Sequence, residues 1–148
     1  AAAAAGSDGV LITDLSVEEA GDFVPVMREA GLDTVFLAAP TSTPRRLQLV
    51  GEYSSGFVYL VSRTGVTGEQ SSVSQSALPL VEAMREHTRL PLAVGFGVSK
   101  PEHVKAIGSL ADGVVVGSAI MRLVEAHGAS PDLEQRLEEF TRALKSGF

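Results

Sequence analysis

The fold is decided by LPLAVGFGVSKPEHV, residues 90–104. The apolar first part of this stretch predicts a buried β-strand, which ends at the Gly-Phe-Gly turn of residues 95–97. Ser99 and Glu102 have the spacing of a helix capping box, and Pro101 falls in the first turn, where its missing N–H costs no hydrogen bond. The stretch therefore predicts a strand, a tight turn and a helix N-terminus. Glycines let the backbone approach a ligand closely, and the exposed N–H groups of a helix start attract anions.

The same pattern recurs in ADGVVVGSAIMRLVEA, residues 111–126. A short apolar strand at residues 114–116 ends at a Gly-Ser pair, and a helical pattern follows at once. Two neighbouring strand ends of this kind can hold one phosphate between them. In barrels of eight βα units, the phosphate site commonly lies in the loops after strands 7 and 8. We therefore predict that Gly97, Gly117 and Ser118 contact a phosphate group, beyond making tight turns.

Composition and charge limit the function classes. The chain has 148 residues, enough for one domain or part of one. Its 45% hydrophobic content, 20% charged content and 15 glycines are typical of a cytosolic α/β protein. A formal net charge of −6 argues against nucleic acid or an anionic membrane as the main partner. It does not exclude a small phosphate ligand, because local N–H groups can bind an anion within an acidic protein.

The sequence argues against a metal site and against a membrane-spanning segment. The absence of cysteine excludes disulfides and thiolate chemistry and argues against a zinc site. The three histidines, His87, His103 and His127, are expected on helices, facing solvent, and their spacing suits no metal site. No apolar run is long enough to cross a membrane.

Three further strands come earlier in the chain. Apolar runs at residues 8–13, 33–39 and 56–62 each lead into a helix-forming segment. Strands that alternate with helices pair in parallel through right-handed crossovers, and phosphate loops at one end favour a barrel over an open sheet. Five parallel βα units do not close such a barrel, because eight units need about 250 residues. We therefore expect residues 1–148 to form a single domain, the C-terminal portion of a barrel, and the opening AAAAAG to be a helix end capped by Gly6.

Helix starts are marked by a Ser or Thr followed by a Glu or Pro. The pairs are Ser16 with Glu19, Thr43 with Pro44 and Ser130 with Pro131. Pro25 should kink or break the first of these helices. The segment 63–76 is rich in glycine, serine and other polar residues, which predicts a long loop. The helix after that loop should bury Ala77, Leu80, Val81 and Met84.

Several polar residues support both a functional and a structural interpretation. Asp14 follows the first strand, where it can act in a site or simply introduce a helix. Tyr59 alternates with apolar neighbours, so its side chain faces either the inside or the outside of the barrel. Asp8 and Asp112 precede strands, on the face of a barrel that serves stability, and we interpret both as structural.

Five segments together resemble the alpha subunit of tryptophan synthase: DGVLITDL, APTSTPRR, GFVYLVSRTGVTG, PLAVGFGVSKPEHV and ADGVVVGSAI. The similarity covers essentially the whole chain, in order and spacing, and begins at the family's fourth strand. It implies an α/β protein of the (β/α)8 TIM barrel family, here a partial barrel of five parallel βα units. The implied reaction is the cytoplasmic retro-aldol cleavage of indole-3-glycerol phosphate to indole and glyceraldehyde 3-phosphate, in tryptophan biosynthesis.

The resemblance also implies a partner subunit, and it implies no cofactor in this subunit. The family forms an alpha2-beta2 complex, in which the beta subunit receives the indole and alone carries pyridoxal phosphate. The family's catalytic Glu and Asp lie on and after its second strand, which is not among these residues. We therefore expect the chain alone to bind weakly and not to turn over.

Roles for individual residues follow from matching the family pattern position by position. The phosphate contacts implied are Gly68, Gly97, Gly117 and Ser118. The residues implied to support catalysis are Tyr59, Thr67 and Asp14, with Thr67 on a loop that closes over substrate. Leu11 and Phe96 are implied as walls of the indole pocket. Two alternatives remain open: another phosphate-binding barrel enzyme, such as a sugar-phosphate isomerase or epimerase, and a non-catalytic half-barrel that binds phosphate or docks a beta subunit.

Overall fold

The computed structural model describes residues 1–61, 70–95 and 97–147, and only the backbone of residues 70–76. The strands are β1 Gly9–Val10, β2 Asp33–Thr34, β3 Leu37–Ala38, β4 Val58–Val61, β5 Leu92–Gly95 and β6 Gly113–Val115. The helices are α1 Phe23–Glu29, α2 Pro44–Tyr53, α3 Gln70–Arg85, α4 Pro101–Gly108, α5 Ser118–His127 and α6 Leu133–Lys145. Short 3-10 turns lie at Ala3–Ala5, which Gly6 caps as predicted, and at Val17–Glu19.

All strand pairs are parallel and follow the order of the chain. β1 pairs with β2, and β3, β4, β5 and β6 pair in that order. The segment 33–38 links the two sheets, because Val35 N donates to Val10 O at 2.9 Å and Tyr59 N donates to Phe36 O at 3.1 Å. This segment takes the place of the single strand predicted at 33–39. The predicted strand positions and their parallel order are therefore confirmed.

The two faces of the sheet differ in burial. One face carries residues that are at most 1% exposed and that pack into the core with α2, α3 and α4: Val58, Leu60, Leu92 and Val94. The opposite face carries mostly half-buried residues, which are registered across the strands: Tyr59, Val61, Ala93, Gly95, Gly113 and Val115. In a barrel the first face packs under the helices and the second lines the interior. The site described below lies where this second face meets the strand ends.

One predicted helix start is confirmed and another is wrong. Thr43 Oγ1 accepts a hydrogen bond from Arg46 N at 3.3 Å, and α2 begins directly after Thr43. Ser16 introduces only a 3-10 turn and makes no capping bond; its hydroxyl donates to Glu18 Oε2 at 2.7 Å. The predicted box with Glu19 does not form, because the nearer carboxylate takes the serine hydroxyl.

Proline and aspartate decide two other helix starts. Pro25 lies in the first turn of α1, so the helix breaks before it, as predicted. The last helix begins at Leu133 with Asp132 as its N-cap, so the predicted start at Ser130 is displaced. Ser130 donates to Asp132 Oδ1, and Arg136 Nε donates to Asp132 Oδ2 at 2.9 Å. The bonds from Arg136 and then Ser130 lower the pKa of Asp132 to about 2.

The helix α3 begins earlier than the sequence predicts. The predicted loop 63–76 lies partly outside the described residues, and its part from Gln70 onward is helical. Each serine lowers helix stability by roughly 0.5 kcal/mol relative to alanine. The burial of the later part of the same helix outweighs this small cost. The predicted inward residues of this helix are all at most 5% exposed: Ala77, Leu80, Val81 and Met84. None of the helices in the described part of the chain is long and apolar enough to span a membrane.

An aspartate ties the elements together at the amino ends of the strands. Asp112 Oδ2 accepts from Leu92 N at 2.8 Å and from the guanidinium of Arg85. Arg85 also donates to Leu90 O at 3.2 Å. The N–H of Leu92 and then the Arg85 guanidinium hold the pKa of Asp112 below its usual value. Asp112 therefore joins α3, β5 and β6, which confirms its structural interpretation.

Candidate functional site

Four of the predicted site residues line one cavity at the carboxyl ends of β4, β5 and β6. The cavity has a volume of about 290 Å³. Its lining residues are Tyr59, Gly97, Val98, Val115, Gly117, Ser118, Ala119 and Arg122. A second cavity, of about 220 Å³, lies between β6 and the helices α4, α5 and α6; its lining is mostly apolar and contains none of the predicted residues. The first cavity, lined by Tyr59 and the glycine turns, is the candidate site, because residues from three neighbouring strands and the turns after them meet there.

The turn after β5 requires glycine at one position. Gly97 has a φ of 68°, in the left-handed region that residues with a Cβ disfavour. The turn allows the chain to leave β5 at Gly95 and enter α4 at Pro101. Since Gly97 has no side chain, its backbone is itself the cavity wall at this point.

The helix start after this turn is displaced by one residue from the prediction. Pro101 occupies the first helical position, so Lys100 is the N-cap, and no side chain caps the helix there. His103 is the third residue of α4, and its Nδ1 accepts a hydrogen bond from Ser99 N at 3.4 Å. The predicted box between Ser99 and Glu102 is therefore wrong. The predicted exposure of His103 is also wrong, because the residue is only 8% exposed and its Nδ1 accepts a backbone N–H.

The first turn of α5 presents backbone donors to the same cavity. Gly117 is the N-cap, and no side chain caps this helix. The first intrahelical bond runs from Met121 N to Gly117 O at 3.0 Å, so the three N–H groups before Met121 have no acceptor within the helix. Ser118 and Ala119, which carry two of these groups, line the cavity. The helix dipole adds positive partial charge at this end, which favours an anion.

Tyr59 enters the cavity from β4. Its neighbours Val58 and Leu60 are buried on the helix-covered face, so Tyr59 lies on the opposite face, in register with Ala93. An ideal Cβ at Gly95 would lie 2.5 Å from Tyr59 Oη and 2.6 Å from Tyr59 Cε2. The ring therefore fits against β5 only because residue 95 has no side chain. The structure decides the orientation that the sequence left open: Tyr59 faces the barrel interior.

Arg122 belongs to the cavity and was missed in the sequence analysis. Among the described residues that line the cavity, only Arg122 carries a charged side chain. Arg122 follows Ser118 by one helical turn in α5, so both lie on the same side of that helix. A basic residue four positions after a glycine-serine helix start was the available signal.

The other predicted site residues lie elsewhere or outside the described residues. Leu11, half-buried, and Asp14, exposed, follow β1, and neither is among the residues that line the cavity. Thr67, Gly68 and Phe96 fall outside the described residues, so their roles stay predictions. Within the part of the chain whose side chains are described, no three His, Asp or Glu residues are grouped as metal ligands.

Comparisons of the sequence with known proteins point to one family. The family model described as tryptophan synthase alpha chain matches residues 1–148. The chain is 65% identical over 147 residues to the tryptophan synthase alpha chain of Solibacter usitatus, covering 99% of this chain and 55% of that protein. It is 47% identical over 146 residues to the tryptophan synthase alpha chain of Geotalea uraniireducens, covering 99% of this chain and 54% of that protein.

Solved structures of tryptophan synthase share the fold. The similarity to the tryptophan synthase complex from Pyrococcus furiosus has a TM-score of 0.83 at 37% identity, over 98% of this chain and 57% of that chain. For tryptophan synthase from M. tuberculosis the TM-score is 0.83 at 36% identity, over 99% of this chain and 52% of that chain. The chain thus spans about half the length of the relatives it matches. The predicted α/β class and partial TIM barrel are confirmed.

Proposed function

This chain belongs to the tryptophan synthase alpha chain family, and we propose that it binds the phosphate group of indole-3-glycerol phosphate for a retro-aldol cleavage. The products of that reaction are indole and glyceraldehyde 3-phosphate, so the proposed enzyme class is a carbon–carbon lyase of tryptophan biosynthesis. A sugar-phosphate isomerase or epimerase, the alternative enzyme class, finds no support in the family match.

One observation carries the proposal: Gly97, Gly117 and Ser118 line a single cavity. These residues come from two different strand ends and were selected from the sequence as phosphate contacts. A phosphate ester offers oxygens that accept several hydrogen bonds, and the uncapped first turn of α5 offers backbone donors at the same point. The chemistry of the donors therefore fits an anionic phosphate better than an apolar ligand.

The phosphate site would act by orientation and not by bond making. Cleavage needs C3 of the indole ring protonated and a glycerol hydroxyl deprotonated, which positioned acids and bases accomplish. Holding the phosphate at the far end of the substrate restricts its motion and converts binding energy into correct placement of the reacting bond. Tyr59 lies on the wall of the cavity, which supports the proposal that it helps to align the substrate beside the reacting groups.

The remaining site residues are proposed on the family pattern alone. Leu11 and Phe96 are proposed to flank the indole ring, and Thr67 and Asp14 to support catalysis. Gly68 is proposed as a fourth phosphate contact. The family's catalytic Glu and Asp match no position of residues 1–148, so we propose that these residues alone bind substrate without releasing indole.

The proposed partner is a tryptophan synthase beta subunit in an alpha2-beta2 complex. That subunit would accept the indole and hold the pyridoxal phosphate, while this chain would need no cofactor. The Pyrococcus furiosus relative was solved as a tryptophan synthase complex, which supports this assignment. The proposed location is the cytoplasm.

A titration with indole-3-propanol phosphate tests phosphate binding. The backbone amide resonances of Gly97, Gly117 and Ser118 are followed by NMR as the ligand is added to the full chain. Shifts concentrated at these residues are expected, since their N–H groups would meet the phosphate. The control ligand is indole-3-propanol, which lacks the phosphate and should leave these amides unchanged. A folded chain that shows no phosphate-dependent shifts at these residues would refute the proposal.

An indole-release assay tests turnover separately. The chain of residues 1–148 is incubated with indole-3-glycerol phosphate, and indole is measured over time. No release is expected, because the acid and base for the reaction are placed outside these residues. Indole release from the purified chain would show that catalytic groups lie among residues 1–148 and that the family pattern has been matched wrongly.

A further inference from the structure

We propose that Arg122 is a phosphate-binding residue of the cavity and supplies the positive charge that pairs with the phosphate dianion. This inference rests on the proposed function. It starts from the charges around the site: of the eight described residues that line the cavity, seven carry no charge and Arg122 is the exception. Backbone N–H groups bind phosphate oxygens but leave the net charge of the anion uncompensated. A guanidinium at the cavity wall provides that compensation.

The geometry of α5 directs Arg122 toward the phosphate position. Ser118 is the first residue of α5, and Arg122 lies four residues later on the same side of the helix. Side chains in a helix tilt toward its N-terminus, so a residue covers the turn that precedes it. The long side chain of Arg122 therefore extends over the turn that begins at Ser118, next to Gly117. Both of these residues line the same cavity as Arg122.

The guanidinium is available for this role. The ion pairs of the described side chains join Arg46 to Glu18, Arg85 to Asp112, Arg136 to Asp132 and Arg142 to Glu138. Arg122 takes part in none of these pairs, and its side chain is exposed. Among the described side chains no carboxylate pairs with Arg122, so its guanidinium can pair with a ligand phosphate. This matters in a chain of net charge −6, which by itself repels an approaching anion.

Binding of indole-3-propanol phosphate to Arg122 variants of the full chain tests the inference. Arg122→Gln should weaken binding about three- to fivefold at low salt, the size expected for a solvent-exposed ion pair. Arg122→Lys should stay within about twofold of the wild type, because the charge remains, and Arg122→Glu should bind most weakly. The difference between the wild type and Arg122→Gln should shrink as NaCl is raised, since salt screens an exposed pair. Loss of a merely structural contact would show neither the lysine rescue nor this salt dependence.

Arg89→Gln is the matched control. Arg89 is exposed and precedes β5, so it lies at the end of that strand opposite to the cavity. Arg89→Gln changes the net charge by the same amount as Arg122→Gln but should leave the affinity for indole-3-propanol phosphate unchanged. Suppose that the amide resonances of Gly97, Gly117 and Ser118 shift with the ligand in the wild type, and that Arg122→Gln binds the ligand as tightly as the wild type does. The inference about Arg122 is then wrong, and the proposed phosphate site stands. If the wild type itself shows no phosphate-dependent shifts, both proposals are wrong.

Discussion

Replacing Gly117 by alanine separates phosphate binding from folding. Among the described residues nothing requires glycine at this position: its φ is −118°, and an ideal Cβ would meet none of their atoms within 4 Å. Gly117 nevertheless lines the cavity, directly before the uncapped first turn of α5. An added methyl group would occupy space that a bound phosphate needs. The variant should therefore fold normally and bind poorly.

The expected magnitudes differ enough to be measured independently. The free energy of unfolding should change by less than about 1 kcal/mol, since alanine creates no clash and restricts the unfolded chain slightly. A hydrogen bond to a charged group contributes about 1.5–3 kcal/mol, and moving the phosphate away from the helix start would lose roughly one such bond. At about 1.4 kcal/mol for each factor of ten, the affinity for indole-3-propanol phosphate should fall about 10- to 100-fold.

Calorimetry gives both quantities on the same samples. Thermal unfolding of Gly117→Ala should match the wild type, and isothermal titration should show the weaker binding. Gly113→Ala is the matched control, because Gly113 begins β6, and its ideal Cβ would lie an ordinary 3.5 Å from Ala93 Cβ. That variant should keep both stability and affinity. Wild-type affinity in Gly117→Ala would refute the reasoning, and so would an equal loss of affinity in Gly113→Ala.

Three other substitutions probe local stability. Thr43→Ala should lower the free energy of unfolding by about 1 kcal/mol in urea, because α2 loses its capping acceptor. Gly97→Ala should also lower it by about 1 kcal/mol or more, because a φ of 68° disfavours a Cβ. Asp112→Ala should cost about 1–2 kcal/mol at neutral pH, because Leu92 N–H and the Arg85 guanidinium lose their acceptor. The pKa of the Asp112 carboxyl is lowered in the folded chain, so its stabilisation is fully present above the ordinary pKa of an aspartate and is lost as the pH falls through the lower folded pKa.

Each of these expectations has an outcome that contradicts it. Equal urea midpoints for the wild type and Thr43→Ala would show that the cap contributes nothing. Wild-type stability of Gly97→Ala would mean that the turn can adopt another conformation. For Asp112→Ala, a stability difference from the wild type that persists in strong acid would place the effect outside the carboxylate charge.

The sequence by itself determined the order of strands and helices and selected four of the residues that line the candidate cavity. Apolar runs bounded by glycine and glycine turns before helices are local sequence patterns. The strands and turns of residues 90–104 and 111–126 could therefore be predicted without knowing which other segments they contact. The start of α2 after Thr43 was predictable for the same reason, because the bond from Arg46 N to Thr43 Oγ1 spans only three residues.

Only the tertiary structure decided how these pieces meet. The orientation of Tyr59 depends on the register of β4 with β5 and on the missing side chain at Gly95, which lie far apart in the chain. The burial of His103 needed the turn after β5 to supply a backbone donor. Arg122 entered the site because α5 places it one turn beyond Ser118 on the side that faces the cavity. The contacts of Tyr59 and His103 join separate elements or the two sides of a turn, and they leave no periodic pattern in the sequence, because packing in three dimensions brings them together. The side of α5 that faces the cavity is also set by packing, although the spacing of Arg122 from Ser118 is visible in the sequence.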